Sequence, residues 1–166
     1  MFLLRSAAVG YAALVAAAVV PSAATSASSA TCGTAGLVVW LNTQGDGAAG
    51  SIDYTLKFTN LSGHACTLLG YPGVSAVDLA HRRLGSPAGR NPHVAPRTVR
   101  LASGATATAV LQIAEAGNFP AATCRKVTAA GLRVYPPNQT SSELVPFPFS
   151  ACSRTGPVYL HVEAVT

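Results

Sequence analysis

Four histidines, six carboxylates and four cysteines hold most of the reactive chemistry open to this chain of 166 residues, and their spacing decides which reactions they can share. Ser-His-Asp catalysis needs a nucleophile on a strained turn or beside a base, and no Gly-x-Ser-x-Gly elbow occurs. His64, His81, His93 and His161 are scattered along the chain. Glycoside hydrolysis needs two carboxyl groups facing one another across a cleft. Asp46, Asp53, Asp78, Glu115, Glu143 and Glu163 instead fall singly, several on or beside expected strands at polar-face positions, where a solvated side chain is the simpler reading. Copper held by histidine and methionine is the other chemistry that small β-rich proteins use. Here the sole methionine is Met1, and no two histidines stand close enough in sequence to favour a shared ion. The expectation is therefore a protein that is not an enzyme, with no metal and no cofactor.

The cysteines point to structure. Cys32, Cys66, Cys124 and Cys152 all follow the N-terminal apolar segment, and an even count in an exported chain argues for disulfides. No pair has the Cys-x-x-Cys spacing that zinc or redox chemistry uses. Of the possible connectivities, Cys32–Cys66 with Cys124–Cys152 is favoured because each closes a local loop, contributing roughly 3 to 4 kcal/mol apiece in the chain-entropy model.

The arginines are the most suggestive feature. Ala80–Arg100 is a long irregular stretch with Pro87, Pro92 and Pro96, five arginines (Arg82, Arg83, Arg90, Arg97, Arg100) and no carboxylate. The formal net charge is +5, falling to +4 if Arg5 leaves with the leader. Such a loop can attract wall polymers or anionic lipid headgroups outside a cell. Nucleic acid is not expected, since no aromatic side chains interleave with these arginines. The plainer alternative is that the arginines are only solvated, their field screened beyond roughly 8 to 10 Å by salt.

The elements that must position these residues begin after a leader. Met-Phe-Leu-Leu-Arg-Ser places one charge, Arg5, before an uncharged run from Ala7 to Val20, the order of a secretory signal peptide. The run stops at Pro21, short of the roughly 20 apolar residues a membrane span needs. Cleavage after Ala24, Ala27 or Ala30 suits the need for small residues, and the residues before Cys32 do not suit lipid anchoring. Residues 1–30 are thus expected to be a signal peptide and cleavage region, and 31–166 one domain, secreted or wall-associated, with no membrane span after processing.

Period-two alternation runs through Ser51–Thr59, with Ile52, Tyr54, Leu56 and Phe58 against polar neighbours. It recurs near the C-terminus, with Val158, Leu160, Val162 and Ala164 on one face and Tyr159, His161 and Glu163 on the other. Further strands are expected at Leu37–Leu41, Val74–Leu79, Thr98–Leu101, Thr106–Ile113, Leu132–Tyr135 and Glu143–Phe149. Turn signals separate them at Gln44–Gly47, Ser62-Gly63, Tyr71-Pro72-Gly73, Ala102–Gly104 and Pro136–Asn138. Trp40 and Tyr54 read as core or half-buried strand residues. The Asn-x-Ser/Thr triplets at Asn60 and Asn138 match a glycosylation pattern that chance explains in a bacterial chain. About eight short strands and no long amphipathic helix give an all-β fold class, an antiparallel sandwich.

The segment Phe58-Thr59-Asn60-Leu61-Ser62-Gly63-His64-Ala65-Cys66-Thr67-Leu68-Leu69-Gly70-Tyr71-Pro72-Gly73-Val74 resembles the asparagine, cysteine-threonine-leucine and glycine-tyrosine-proline-glycine signature of a secreted actinobacterial family, domain of unknown function 4232. Leu101–Ala107 is similar to that family's glycine turn into a strand, and the four cysteines stand where it places them. The resemblance implies an extracellular, immunoglobulin-like β-sandwich and carries over no catalytic residue. Within the signature, Tyr-Pro-Gly reads as a tight turn, proline fixing one dihedral and Gly73 free to take positive φ.

These readings give a secreted, non-enzymatic module that binds at the cell envelope through the Ala80–Arg100 loop, its partner an anionic wall polymer or an envelope protein. A carrier or inhibitor of a small ligand, with a pocket between the sheets, is the alternative. An unassigned hydrolase stands third.

Overall fold

Apolar side chains at every second position between Ile52 and Phe58 force that segment to bury one face, and it forms the centre of a hydrogen-bonded ladder. A computed structural model describes residues 30–166. The expected signal segment lies, except for Ala30, outside the described residues. Two long strands open the chain, β1 (Leu37–Ala48) and β2 (Ser51–Asn60). They are followed by β3 (Cys66–Leu69), β4 (Gly73–Val77), β5 (Arg83–Leu84), β6 (Gly89–Arg90), β7 (Thr98–Leu101) and β8 (Thr106–Ala114). A single helical turn, α1 (Ala121–Cys124), precedes β9 (Lys126–Tyr135), β10 (Glu143–Cys152) and β11 (Leu160–Val162).

The strands form a five-stranded sheet in the order β1-β2-β8-β11-β6, a four-stranded sheet β10-β9-β4-β5, and the pair β3-β7. One apolar core draws on all three: Leu56, Phe58 and Leu111 from the first, Val74, Leu132 and Val134 from the second, Leu68 and Leu101 from the third. Tyr54 of β2 meets Phe147 of β10 edge to face at 4.9 Å, a contact between the two larger sheets. Pairing is antiparallel throughout these sheets except where β6 runs parallel to β11.

Both expected disulfides are present. Cys32–Cys66 joins the start of the described chain to β3, and Cys124–Cys152 joins α1 to the end of β10. All four cysteines are buried.

Several expectations are corrected. Gln44–Gly47 is not a turn: β1 runs through it with a register shift between Asn42 and Asp46, and the reversal comes at Ala49-Gly50, where Gly50 takes φ +81°. Gly45 is required because Ile52 and Tyr54 of β2 occupy the space a Cβ would fill, so the glycine marks a bulge. In the signature, positive φ falls on Gly63 (+83°) and Gly70 (+101°), while Gly73, the glycine expected to take it, opens β4. Cys66–Leu69, read only as part of the signature, is a strand with Cys66 and Leu68 buried. Ala80–Arg100 is not wholly irregular, since it contains β5, β6 and most of β7. Trp40 is 42% exposed, its ring under the Lys57 ammonium at 4.4 Å on the outer face of β1 and β2.

The C-terminal faces also change. Val158 is exposed, and Tyr159 is the largest fully buried side chain among the described residues. The strand proper starts at Leu160, so the alternation read from Val158 begins two residues before it. The Tyr159 hydroxyl donates to the Leu84 carbonyl at 3.3 Å. Burial pushes its phenol from an ordinary 10.0 up to about 12. The folded protein thus holds this proton more tightly than the unfolded chain, so the contribution is fully present below pH 10.0 and is lost as pH rises toward about 12. Denaturation midpoints are expected to fall across that interval, and Tyr159→Phe to flatten the fall while costing about 1 kcal/mol at neutral pH for the lost hydrogen bond. Equal alkaline slopes for the two proteins would contradict this.

Candidate functional site

The five arginines of Ala80–Arg100 are distributed by the short strands between them. Arg83 lies on β5, at the edge of the four-stranded sheet, and Arg90 on β6, at the edge of the five-stranded one. Arg100 lies on β7 opposite Thr67 of β3. Arg97 is exposed just before that strand. The segment therefore contributes a strand to each of the three sheets in turn.

Arg82 differs from the rest. Asp78, two residues outside the carboxylate-free stretch, accepts from the Arg82 backbone N–H at 2.8 Å and from its Nε at 2.9 Å, with an ion pair at 2.8 Å. The backbone N–H of Arg82 is the main cause that holds the Asp78 carboxyl below its ordinary value, with the Arg82 side chain and the Ala80 N–H adding to it. The same carboxylate fixes a turn in which His81 adopts φ 58° and Leu79 is 91% exposed. Arg83, Arg90 and Arg97 are exposed to solvent.

Arg90 has a different neighbour. Its guanidinium lies over the Tyr71 ring, 5.4 Å from the centroid. Here the fold forms an open groove of about 500 Å³ whose walls include Tyr71, Arg90, Tyr135, Asn138 and Gln139. Three separate segments build it. The first is the link from β3 to β4, where Gly70 at positive φ turns the chain. The second is β6 with the proline-containing run after it, and the third is the reversal from β9 to β10. Tyr135 pairs in register with Gly73, and its side chain packs across that glycine. Asn138, at φ 60°, closes the reversal by donating from Nδ2 to the Leu69 carbonyl at 3.1 Å. Of these residues only Arg90 stood out as a binding candidate in the sequence. The signal for Tyr71 was the signature itself, read there as a folding device.

The residues considered for catalysis do not converge. Among the described residues no three His, Cys, Asp or Glu side chains gather where they could hold a metal ion. Asp53, Gln112 and His161 share one cross-strand row, so the backbones of the acid and the histidine stand a whole strand apart, about 9 to 10 Å at the usual inter-strand spacing. His64, His81 and His93 are exposed.

A cavity bordered by both larger sheets, lined by Ile52, Tyr54, Ile113 and Phe149, has about 100 Å³. That is below the roughly 300 to 1,000 Å³ of small-molecule pockets. The aromatic pair Phe147 and Phe149, with ring centroids 5.7 Å apart, packs beside Tyr54 at this end of the core. No helix among the described residues is long and apolar enough to cross a membrane.

Compared with known proteins, residues 32–166 match the model of a family described as domain of unknown function (DUF4232). No curated protein and no solved structure matches the chain.

Proposed function

From a chain that belongs to the DUF4232 family, whose description assigns no activity, we propose an exported, immunoglobulin-like β-sandwich of the actinobacterial envelope that binds an anionic wall polymer without catalysing a reaction. Export is supported by the charged-then-apolar leader from Arg5 to Val20 and by four cysteines that are all paired. The observation that carries the binding reading is the arrangement of the basic segment. Arg83 and Arg90 lie at the edges of the two larger sheets, with exposed Arg97 following in the same segment, and the Asp78 carboxylate pairs with Arg82. A repeating polyanion meets several separated cations at once, which suits a polymer better than a compact solute.

The test is retention on isolated cell walls. Replacing Arg82, Arg83 and Arg90 together by serine is expected to lower retention severalfold at low salt and to leave the thermal midpoint nearly unchanged, since these side chains are exposed. Wild-type retention should itself fall as salt rises. Equal retention by the variant would sink the reading.

A further inference from the structure

The groove beside Arg90 offers more than positive charge. Its two tyrosines are half-buried, so each ring keeps part of its surface open to the groove. The polar groups left over can both donate and accept. Asn138 spends its Nδ2 on the Leu69 carbonyl and Gln139 its Nε2 on the Asn138 carbonyl, at 3.1 and 3.3 Å. Each amide keeps its carbonyl oxygen, Asn138 Oδ1 or Gln139 Oε1, as an acceptor and a second N–H as a donor. Arg90 supplies a cation with a planar fork over the Tyr71 ring.

Aromatic faces take C–H groups, side-chain carbonyls take hydroxyl protons, and a guanidinium takes an anion. A hydroxylated sugar ring that bears an anionic group satisfies all three. A neutral proline-rich peptide would use the rings and the amides but leave the cation without a counter-charge, and a ring-free polyphosphate would use the cation and the amides but leave the rings unused. We propose that the groove walled by Tyr71, Arg90, Tyr135, Asn138 and Gln139 is a recognition site for a saccharide unit carrying a carboxylate or phosphate. This rests on the wall-polymer reading and names the unit of the polymer that is recognised.

Isothermal titration would use five probes: a hexuronic acid oligomer, a hexose phosphate polymer, a neutral hexose oligomer of equal length, a poly(glycerol phosphate) chain and a proline-rich peptide. At least one of the first two is expected to bind, and the tighter one identifies the anion. The neutral oligomer should bind at least about tenfold more weakly, the size of one lost charge-assisted hydrogen bond. Arg90→Gln and Tyr135→Leu should each weaken the charged saccharide by about the same factor. Tyr71→Leu, which keeps the apolar volume, gives a second variant should Tyr135→Leu fail to fold.

Equal binding of the poly(glycerol phosphate) chain, unaffected by Tyr135→Leu, would overturn the saccharide site and leave the wall reading intact. So would a failure of every probe while walls still retain the protein. Preferential binding of the peptide would overturn it in favour of a protein partner. A charged saccharide that binds to the groove of a protein no wall retains would uphold the site and remove the wall reading.

Discussion

Replacing Cys124 and Cys152 together by alanine is expected to cost about 3 to 4 kcal/mol, the loop-closure value for a sequence separation of 28 residues. For a domain of this size that is a drop of about 10 to 20 °C in the thermal midpoint. Both residues are fully buried, so the folded state also loses two sulfur atoms packed in its core, and partial collapse around them sets where in the range the value falls. The bridge holds α1 against the end of β10, next to Arg125, which adopts φ 48°. Its backbone carbonyl accepts from Ser153 N–H at 3.1 Å and from Ser153 Oγ at 2.9 Å. Losing the bridge therefore removes the constraint that keeps a non-glycine residue in a left-handed conformation. Urea unfolding of the oxidised protein and the double variant gives the difference, and a change below about 1 kcal/mol would show that packing alone holds this corner. The same measurement on Cys32→Ala with Cys66→Ala, sequence separation 34, should give a loss of similar size.

Asn60→Ala should be nearly as damaging, although it removes only a small side chain. Asn60 is fully buried. Its Nδ2 donates to the carbonyls of His64, Leu101 and Ala102 at 2.8, 3.1 and 3.2 Å, and its Oδ1 accepts from the backbone N–H and the hydroxyl of Ser62 at 3.0 and 2.7 Å. One amide thus ties the end of β2 to the turn before β8 and to the approach to β3. Alanine takes the amide's partners from the Leu101 carbonyl and the Ser62 N–H, while the His64 carbonyl keeps Ser62 Oγ and the Ala102 carbonyl keeps the Ala105 N–H, so at about 1 to 3 kcal/mol for each group left unpaired a loss of about 2 to 5 kcal/mol is expected. Asn60→Asp should be at least as destabilising, because an acceptor then faces carbonyl oxygens that need a donor. Equilibrium unfolding of the two variants checks both values. An Asp variant more stable than the Ala variant would mean that the donor end of the amide is not what matters. The same burial keeps Asn60 from serving as a glycan acceptor, though it stands in an Asn-x-Ser triplet.

Much of this was legible because it is local. The alternation in β2 and β8 survives in the structure, Leu56 and Phe58 inward against Lys57 and Thr59, and Ala107, Ala109 and Leu111 inward against Thr108 and Val110. The favoured disulfide pairing and the turns at Gly104 and Asn138 were legible for the same reason, each depending on residues near one another in sequence. What escaped depends on partners far along the chain. Gly45 looks like a turn residue until β2 lies across it. β5 and β6 are two residues each, too short for any periodicity, and exist because β4 and β11 offer them an edge. Tyr159 is buried by the approach of Leu84, a contact across 75 positions. The groove is the strongest case. Tyr71, Arg90 and Tyr135 come from three segments with different local character, and only the long-range pairing of β4 with β9 places two of them side by side.

The first bridge also governs how the domain carries tension. Thr31 pairs with Thr67, and Cys32 is bonded to Cys66, so a pull along the chain at its described start is handed directly to β3. The backbone between those cysteines, including all of β1 and β2, is bypassed by a covalent shortcut. The second bridge does the same for β9 and most of β10. Under load, only the segment between Cys66 and Cys124 and the tail after Cys152 can pay out length, at roughly 3.3 to 3.6 Å per residue. Reduction would release the two locked stretches as well, so a protein pulled between a wall and its attachment would lengthen far more in a reducing setting than in an oxidising one.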